Sequence, residues 1–259
     1  MRIALPILAA GLVLTAAAHA ASPLDNPLLS GQTRYDRCLA LARQKPQAAF
    51  DAALIWRDGG GGAPARHCIA VALVNLKHYG EAAYKLDALA RDPTAGGAGI
   101  RAEILDQAGN AWLLAGQPED ALLSFSAALK LAPGDPDMLA DRARAKAMRK
   151  DWSGAERDLT AALSRAPYRP ELLVLRASAR RALGRIKAAR ADIDRALAMR
   201  PNFVEALVER GAMKFDAGDK AGARADWRKV IAQAPDSQAA RSARQHIEQL
   251  ELNAPVGHD

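Results

Sequence analysis

The sequence is poor in aromatic residues and in cysteine, and beyond its first twenty residues it has no long apolar run. Only 5% of the 259 residues are aromatic. This scarcity argues against a β-sandwich or a β-barrel, because strands favour aromatic and β-branched side chains. Hydrophobic residues still make up 50% of the chain, which is too many for a disordered protein. Many of them are alanine, the best helix former, so the composition predicts an all-α protein.

Motifs of known catalytic chemistry are also missing. The sequence contains no G-x-S-x-G, H-E-x-x-H or C-x-x-C motif, and the glycine run at 59–62 lacks the Lys-Ser/Thr that completes a phosphate-binding loop. Beyond residue 20 the histidines are scattered and have no evident partner residues: His67, His78, His246 and His258. We therefore expect a protein that is not an enzyme and that holds no cofactor and no metal.

The first twenty residues have the pattern of a secretory signal peptide. Arg2 precedes an apolar run at 3–14, and the A-H-A sequence at 18–20 fits a small-x-small cleavage site. The apolar run is too short to span a bilayer, although an uncleaved membrane anchor is the alternative. We expect a signal peptide at 1–20 with cleavage near Ala20, a periplasmic or secreted protein, and no transmembrane segment in the remainder.

If the protein is exported, its two cysteines, Cys38 and Cys68, are candidates for a disulfide. They stand 30 residues apart, and an oxidising compartment favours a disulfide between them. Two free buried thiols and a metal-binding pair are the alternatives. No cluster of histidine or cysteine accompanies the pair at metal-ligand spacing, so we expect the disulfide.

The strongest pattern is a repeat of 34 residues. Four prolines share this spacing: Pro133, Pro167, Pro201 and Pro235. Three further columns keep it, with a leucine, a small residue and a large residue respectively: Leu105, Leu139, Leu173, Leu207; Gly109, Ala143, Ala177, Gly211; and Phe125, Leu159, Ile193, Trp227. A fixed period of this length is the signature of stacked structural repeats.

Each repeat is predicted to form two helices packed as a hairpin. Small residues let the two helix axes approach, and the large residue fills the space beside them. Glycine provides the turn between the helices, except where the second repeat has Lys150: Gly116, Gly184 and Gly218. Proline ends the second helix, because it lacks the N–H that would continue it. No hairpin buries its apolar face alone, so the hairpins must stack.

These columns resemble the tetratricopeptide repeat (TPR) family, most clearly at 108–133 and strongly over 102–235. The resemblance implies a right-handed α-solenoid of about six helical hairpins that ends in a capping helix. The expected units are degenerate hairpins at 34–94, four regular repeats at 102–135, 136–169, 170–203 and 204–237, and a cap at 238–252. We expect the glycine run at 59–62 to be a flexible joint between the first two hairpins. Cys38 and Cys68 then lie on neighbouring first helices.

Two charged columns are present or absent together. Arginine precedes the small residue in three repeats, and aspartate precedes the large residue in the same three: Arg142, Arg176, Arg210 and Asp158, Asp192, Asp226. The first repeat has Ala108 and Ser124 at these positions. We predict a structural ion pair within each hairpin, the alternative being unrelated solvated charges. A third column holds Lys146, Arg180 and Lys214 where the family prefers an aromatic residue, and we expect their charges to reach solvent.

By the same resemblance, the first helices line a concave face that binds a partner. Its expected lining residues are Glu103, Asp106, Asn110, Asp137, Asp141, Arg144, Glu171, Ser178, Arg181, Glu205, Glu209, Phe215 and Asp216. Some members of the family hold a peptide's C-terminal carboxylate there, but the positions that should be basic hold Asp106, Glu171 and Leu175. The face is mixed to acidic and suits a basic or polar peptide, unless its acids serve only the first turns of the helices.

The second helices are basic by contrast and contribute to the net charge of +7. Their cations are Arg157, Lys187, Arg190, Arg195, Arg224, Arg228 and Lys229. A solvated helix surface is the ordinary explanation, and binding to anionic lipid or another acidic surface is the alternative.

These patterns predict a periplasmic scaffold that recognises a protein or peptide partner in its groove. The alternative is a periplasmic chaperone or assembly factor for envelope proteins or cytochrome maturation, which would expose apolar groove residues: Leu113, Leu114, Val174, Leu175, Val208 and Phe215. Nucleic acid is not expected as a partner, because the chain carries a signal peptide and few aromatic residues for base stacking. The sequence gives no indication of the partner's identity or of the oligomeric state.

Overall fold

The structure is a computed structural model that describes residues 33–252. The predicted signal peptide at 1–20 lies outside the described residues. Over 33–252 the fold is all-α, as predicted, and no strand occurs in this part of the chain. None of the helices within that range is long and apolar enough to cross a membrane.

The described helices form six hairpins and one final helix. The first helices of the hairpins are α1 (Arg34–Gln44), α3 (Gly62–Asn75), α5 (Ala98–Leu114), α7 (Pro136–Met148), α9 (Pro170–Ala182) and α11 (Val204–Asp216). The second helices are α2 (Pro46–Trp56), α4 (Tyr79–Arg91), α6 (Pro118–Leu131), α8 (Trp152–Arg165), α10 (Ile186–Met199) and α12 (Lys220–Gln233). The final helix, α13 (Gln238–Leu252), packs on α11 and α12. Each helix packs on the next along the chain, so the hairpins stack into one solenoid.

The turn inside each hairpin needs a backbone conformation that L-residues disfavour. Gly116, Gly184 and Gly218 have φ values of 75°, 72° and 84°. Lys150 stands at the equivalent place in the second repeat and has φ of 61°, and Lys77 in the second hairpin has φ of 64°. Left-handed backbone costs a non-glycine residue roughly 1–2 kcal/mol. The stacked helices therefore hold the turn geometry even where glycine is replaced.

One large side chain fills the interior of each regular repeat. All four are at most 2% exposed: Phe125, Leu159, Ile193 and Trp227. Phe125 lies against Gly109 and Trp227 against Gly211, so closely that a Cβ on either glycine would collide with the ring. The two repeats with an aliphatic residue have alanine at the glycine position. Ring size and glycine are thus matched within each repeat.

The glycine run, expected to be a flexible joint between the first two hairpins, forms a tight kink between α2 and α3. Gly59 and Gly60 leave the helical conformation there, and Gly60 has φ of 89°. Helices α1 and α3 pack side by side. Their cysteines, Cys38 and Cys68, form a disulfide with 6.1 Å between the Cα atoms, and both side chains are fully buried. A covalent bond therefore attaches the N-terminal hairpin to the second one.

One side of the solenoid brings the hairpins closer together than the other. First helices contact each other directly in the pairs α1–α3, α5–α7, α7–α9 and α9–α11. Among the described helices, the second helices of neighbouring hairpins do not approach one another to the same extent. The first helices therefore form the inner face of the solenoid, and the second helices form its outer face.

Candidate functional site

Three hairpins each bury a carboxylate between their two helices. These aspartates, on the second helices, are 6%, 4% and 5% exposed: Asp158, Asp192 and Asp226. Arg142 on α7 donates two hydrogen bonds of 2.8 Å to Asp158, one from Nε and one from Nη2. The equivalent pairs have the same two-pronged geometry at 2.7–2.9 Å: Arg176–Asp192 and Arg210–Asp226. The structure thus brings together all three pairs that the sequence pattern singles out.

A second cation binds each of these carboxylates. Lys146 Nζ lies 2.7 Å from Asp158 Oδ2, and the other hairpins repeat the contact at 2.8 Å: Arg180 with Asp192 and Lys214 with Asp226. The expectation that these three cations extend into solvent is wrong, because a buried carboxylate binds them. Burial alone would raise the pKa of Asp158, but hydrogen bonds from Arg142 and Lys146 outweigh it and lower that pKa. We call each set of two cations and one aspartate a charged triad.

The first regular repeat replaces the triad with a carboxylate from the preceding hairpin. Asp87 on α4 accepts a hydrogen bond of 2.8 Å from Trp112 Nε1 and another of 2.8 Å from Ser124 Oγ. Trp112 and Ser124 occupy the positions that hold a cation and the aspartate in the later repeats. A carboxylate is therefore hydrogen-bonded here too, but its hydrogen bonds join two neighbouring hairpins instead of the two helices of one hairpin.

The predicted groove residues separate into open, half-buried and buried groups on the inner face. The exposed ones are Glu103, Asp137, Arg144, Glu205 and Asp216. The half-buried ones are Asp106, Asn110, Glu171, Ser178, Arg181 and Phe215. Asp141 and Glu209 are only 9% and 7% exposed, so their assignment to the open lining is wrong. Both are buried because neighbouring first helices donate hydrogen bonds to their carboxylates.

Those hydrogen bonds link the first helices across the inner face. Asn110 on α5 donates to Asp141 on α7 at 2.8 Å. Ser178 and Arg181 on α9 donate to Glu209 on α11 at 2.8 and 2.6 Å. Four ion pairs also involve acids of this face: Asp141 with Arg144, Asp137 with Arg169, Glu171 with Arg200, and Asp216 with Arg181. Glu103 and Glu205 have no ion-pair partner among the described residues. The acidic character predicted from the sequence is thus largely neutralised within the protein itself.

A polar chain joins α1, α3 and α5 at the N-terminal end of the inner face. Tyr35 Oη lies 2.6 Å from His67 Nδ1, and His67 Nε2 lies 2.7 Å from Gln107 Oε1. His67 is 8% exposed, and burial lowers its pKa despite the hydrogen bond with Gln107. Sequence reasoning missed these partners of His67, since they stand 32 and 40 residues away and no repeat column connects them.

Asp106 is a carboxyl that the inner face does not neutralise. Its Oδ2 accepts a hydrogen bond of 3.2 Å from Asn110, but its Oδ1 is buried and has no hydrogen-bond partner in the described structure. Burial first, and then repulsion from Asp141 and nearby aspartates, raises the pKa of Asp106 to about 7, against the attraction of Arg144. Asp106 is therefore partly protonated at neutral pH.

An open cavity of about 580 Å³ lies on the inner face where α9 meets the start of α11. Its floor is apolar and consists of Val174, Leu175, Phe203 and Val204. Its rim is polar and consists of Arg144, Glu171, Arg200, Asn202 and Glu205. Arg200 bonds to Glu171 at 2.7 Å, so part of the rim is already neutralised. An apolar floor with a few polar groups around it is the usual composition of a small binding site.

The predicted basic residues lie on the outer face, away from this cavity. Six of the seven are exposed, namely Arg157, Lys187, Arg190, Arg195, Arg228 and Lys229. Arg224 is half-buried. The inner and outer faces of the C-terminal repeats therefore differ in chemistry, since the inner face is paired and partly apolar and the outer face is cationic.

Comparison with known proteins finds similar structures but no similar sequence. No protein-family model matches the chain, and no curated protein matches it. A tetratricopeptide repeat protein from Parabacteroides merdae ATCC 43184 has 19% identity and a TM-score of 0.63, over 88% of this chain and 86% of that one. MamA (41-end) from Desulfovibrio magneticus RS-1 has 21% identity and a TM-score of 0.57, over 68% and 97%. YrrB, described as a TPR protein with an unusual peptide-binding site, has 16% identity and a TM-score of 0.53, over 76% and 98%.

At these sequence identities the structural matches establish the fold alone. They agree with the 34-residue repeat, with the glycine turns and with the stacking of helical hairpins along one axis. The protein has the tetratricopeptide-repeat fold, an all-α solenoid of helical hairpins.

Proposed function

We propose that the protein is an interaction scaffold that holds an extended segment of a partner protein on its inner face. The observation that carries the proposal is the cavity between α9 and α11, which is about 580 Å³ in volume and open to solvent. Its apolar floor interrupts a face on which many charged groups are paired with one another. The described peptide-binding site of YrrB, a protein with a similar fold, supports binding by such a scaffold.

The floor of the cavity indicates what a partner must bring. Leu175 and Val204 are half-buried, so an apolar side chain placed on them would remove more apolar surface from water. Of the two acids on the rim, Glu171 is paired with Arg200, and Glu205 is exposed without an ion-pair partner among the described residues. A basic side chain therefore gains less here than the sequence composition suggests, and we infer that an apolar side chain is the anchor of the bound segment.

A peptide library selected on the immobilised protein tests this proposal. Enriched peptides are expected to share an apolar anchor residue and to bind at least about tenfold more weakly when Leu175 is replaced in Leu175→Glu. Glu205→Trp, at the exposed rim, should weaken the same peptides by filling the cavity without touching the core. Leu123→Glu is the matched control, since Leu123 is 71% exposed on the outer helix α6. Unchanged affinity in both cavity variants, measured by fluorescence anisotropy, would contradict the proposal.

A chaperone or assembly-factor role is the second candidate. It is favoured by Leu114 and Met148, at the ends of α5 and α7, which are 58% and 52% exposed. Against it, Val174 is only 8% exposed, and Phe215 packs on Trp227 with 6.1 Å between ring centroids. The selection experiment separates the two roles, because a chaperone would enrich apolar peptides with no common anchor position.

We also propose a periplasmic location for this scaffold. Its support is the signal-peptide pattern at 1–20 together with the Cys38–Cys68 disulfide, which an oxidising compartment favours. N-terminal sequencing of the protein released by osmotic shock tests it, and recovery of the intact chain from the cytoplasm alone would contradict it.

A further inference from the structure

The outer surface of α8, α10 and α12 carries far more cations than anions. Eight exposed cations lie on these three helices: Arg157, Arg165, Lys187, Arg190, Arg195, Lys220, Arg228 and Lys229. Asp194 is the one exposed acid on the same helices. Between residues 33 and 252, no carboxylate lies within ion-pair distance of any of the eight cations. Their charge is therefore available to a ligand.

The charged triads explain why so few acids remain on this surface. Asp158, Asp192 and Asp226 belong to the same three helices, but they turn inward and bind cations of the first helices. Glu156 on α8 is half-buried and binds Arg180 and Arg185. The acids that could neutralise the outer cations are thus already in use inside the repeats.

The outer helices of the preceding repeats lack this excess. Helices α4 and α6 expose two acids and two cations between them: Glu81, Glu119, Arg91 and Lys130. The same fold therefore carries a balanced outer face in one half and a cationic outer face in the other. A difference of this kind between repeats indicates a binding surface confined to the three C-terminal repeats.

We propose that the outer face of α8, α10 and α12 docks on an anionic lipid bilayer, with phospholipid phosphates as its ligands. The cations are spread over the second helices of three successive hairpins, which suits an extended charged plane. Exposed apolar and amphipathic side chains lie at the ends of α10 and in the turn before α9: Ile186, Met199 and Tyr168, which are 39%, 37% and 81% exposed. Cations next to such side chains are typical of membrane-surface binding. Base stacking on nucleic acid would need more exposed aromatic rings than this surface offers.

Docking in this way leaves the inner face open to the aqueous phase. The cavity between α9 and α11 is lined by residues of first helices and of the turn at 200–203, whereas the eight outer cations all lie on second helices. Each cation near an anionic bilayer strengthens binding by about fivefold, so loss of three of them should weaken binding on the order of 100-fold, and reversal of their charge should weaken it at least as much.

Cosedimentation with lipid vesicles tests the proposal on the purified full chain. The probes are vesicles of phosphatidylcholine alone and vesicles in which about one-third of the lipid is phosphatidylglycerol. The test variant is Arg190→Glu with Arg228→Glu and Lys229→Glu. The control variant is Lys45→Glu with Arg91→Glu and Lys130→Glu, which changes the net charge equally at exposed sites outside the three helices.

The expected result is binding to anionic vesicles only, lost at about 0.5 M salt, weakened on the order of 100-fold in the test variant and at most a few-fold in the control. Equal binding to phosphatidylcholine vesicles would overturn the proposal, because it would report apolar insertion. An equal loss in both variants would also overturn it, since net charge alone would then account for binding. Tighter binding to duplex DNA than to anionic vesicles would assign the surface to nucleic acid instead.

Discussion

At Asp192, two guanidinium groups and one carboxylate share a site that water barely reaches. Arg176 and Arg180 bond to it at 2.8–2.9 Å, and Asp192 is 4% exposed. Such a buried group contributes little net stability when its desolvation is set against its attraction. Removal of one partner is costly all the same, because the remaining charges lose their counter-charge but stay partly buried. The triads therefore add little net stability when intact, but each hairpin packs well only if all three charged groups of its triad are present.

Replacement of Asp192 should show this cost. In Asp192→Ala, two half-buried arginines lose the carboxylate that they share, although Arg180 keeps Glu156, and we expect the free energy of unfolding to fall by about 3 kcal/mol. Asp194→Ala on the same helix removes an exposed carboxylate and should change it by less than about 0.5 kcal/mol. Urea unfolding followed by circular dichroism measures both. An equal, small effect of the two substitutions would mean that the triad is no more than a pair of solvated contacts.

The pKa of Asp106 links the inner face to pH. In the unfolded chain its pKa is near 3.8, and in the folded protein burial and neighbouring aspartates raise its pKa to about 7. Between these two pH values the folded state binds one more proton at Asp106 than the unfolded chain does. The free energy of unfolding is therefore unaffected by this group below pH 3.8, and it falls as the pH rises towards 7. Asp106→Asn should remove this loss and raise stability at pH 8 by about 1–2 kcal/mol, allowing for solvent screening.

Thermal melts at pH 5 and pH 8 measure that change. Asn keeps one oxygen that can accept from Asn110 and replaces the other with an uncharged NH2 group, so the substitution removes the titration and the charge at nearly constant size. Asp216→Asn is the control, because the Asp216 side chain is 46% exposed and pairs with Arg181 at the surface. If Asp106→Asn stabilises the protein equally at both pH values, repulsion at Asp106 is not the cause.

Among the helices, the repeat columns predict the hairpins wherever the 34-residue period holds. Helices α7, α9 and α11 begin at Pro136, Pro170 and Val204, in step with that period. The large and small residues of each repeat can even be paired from the sequence, since Phe125 and Trp227 face glycine. This works because the four regular repeats pack in the same way, so each column of the repeat gives four residues that make the same contact.

The N-terminal helices are harder to predict, because the period fails there. Composition alone indicates a joint at the glycine run, and the structure has a tight kink there, at Gly59 and Gly60, between α2 and α3. Glycine permits a loose linker and a tight turn alike, so the geometry of the joint depends on packing that no local pattern reports. The disulfide between α1 and α3 is part of that packing.

The repeat pattern does not predict in which direction a side chain of the site points. A column places Lys146 on the first helix, but only the position of Asp158 makes its ammonium turn inward. The inner-face links Asn110–Asp141 and Ser178–Glu209 both span 31 residues. That spacing is one period less about one helical turn, as expected for side chains that meet between parallel first helices, and it is a signal that the sequence does carry.

For the whole molecule, the free energy of unfolding is approximately the sum of the stability of each hairpin and of its interfaces with the neighbouring hairpins. Each hairpin packs on the hairpins before and after it, and the charged triads lie within single repeats. The disulfide differs, because it joins two hairpins covalently at one end of the stack. In a solenoid the terminal hairpin is covered on one side only and is the first to open. The bond thus links the first described hairpin, which has a described neighbour on one side only, to the second.

Removal of the disulfide should therefore act locally. In Cys38→Ala with Cys68→Ala, the entropy of a 30-residue loop returns to the unfolded chain, and we expect the N-terminal hairpins to lose about 3–4 kcal/mol of stability. Hydrogen exchange read by mass spectrometry should show lower protection in α1–α3 and unchanged protection in α9–α12. Chemical reduction of the unaltered protein is the control and should give the same map. A uniform fall in protection along all the repeats would mean that the solenoid unfolds as one cooperative unit and that the nearest-neighbour description does not hold.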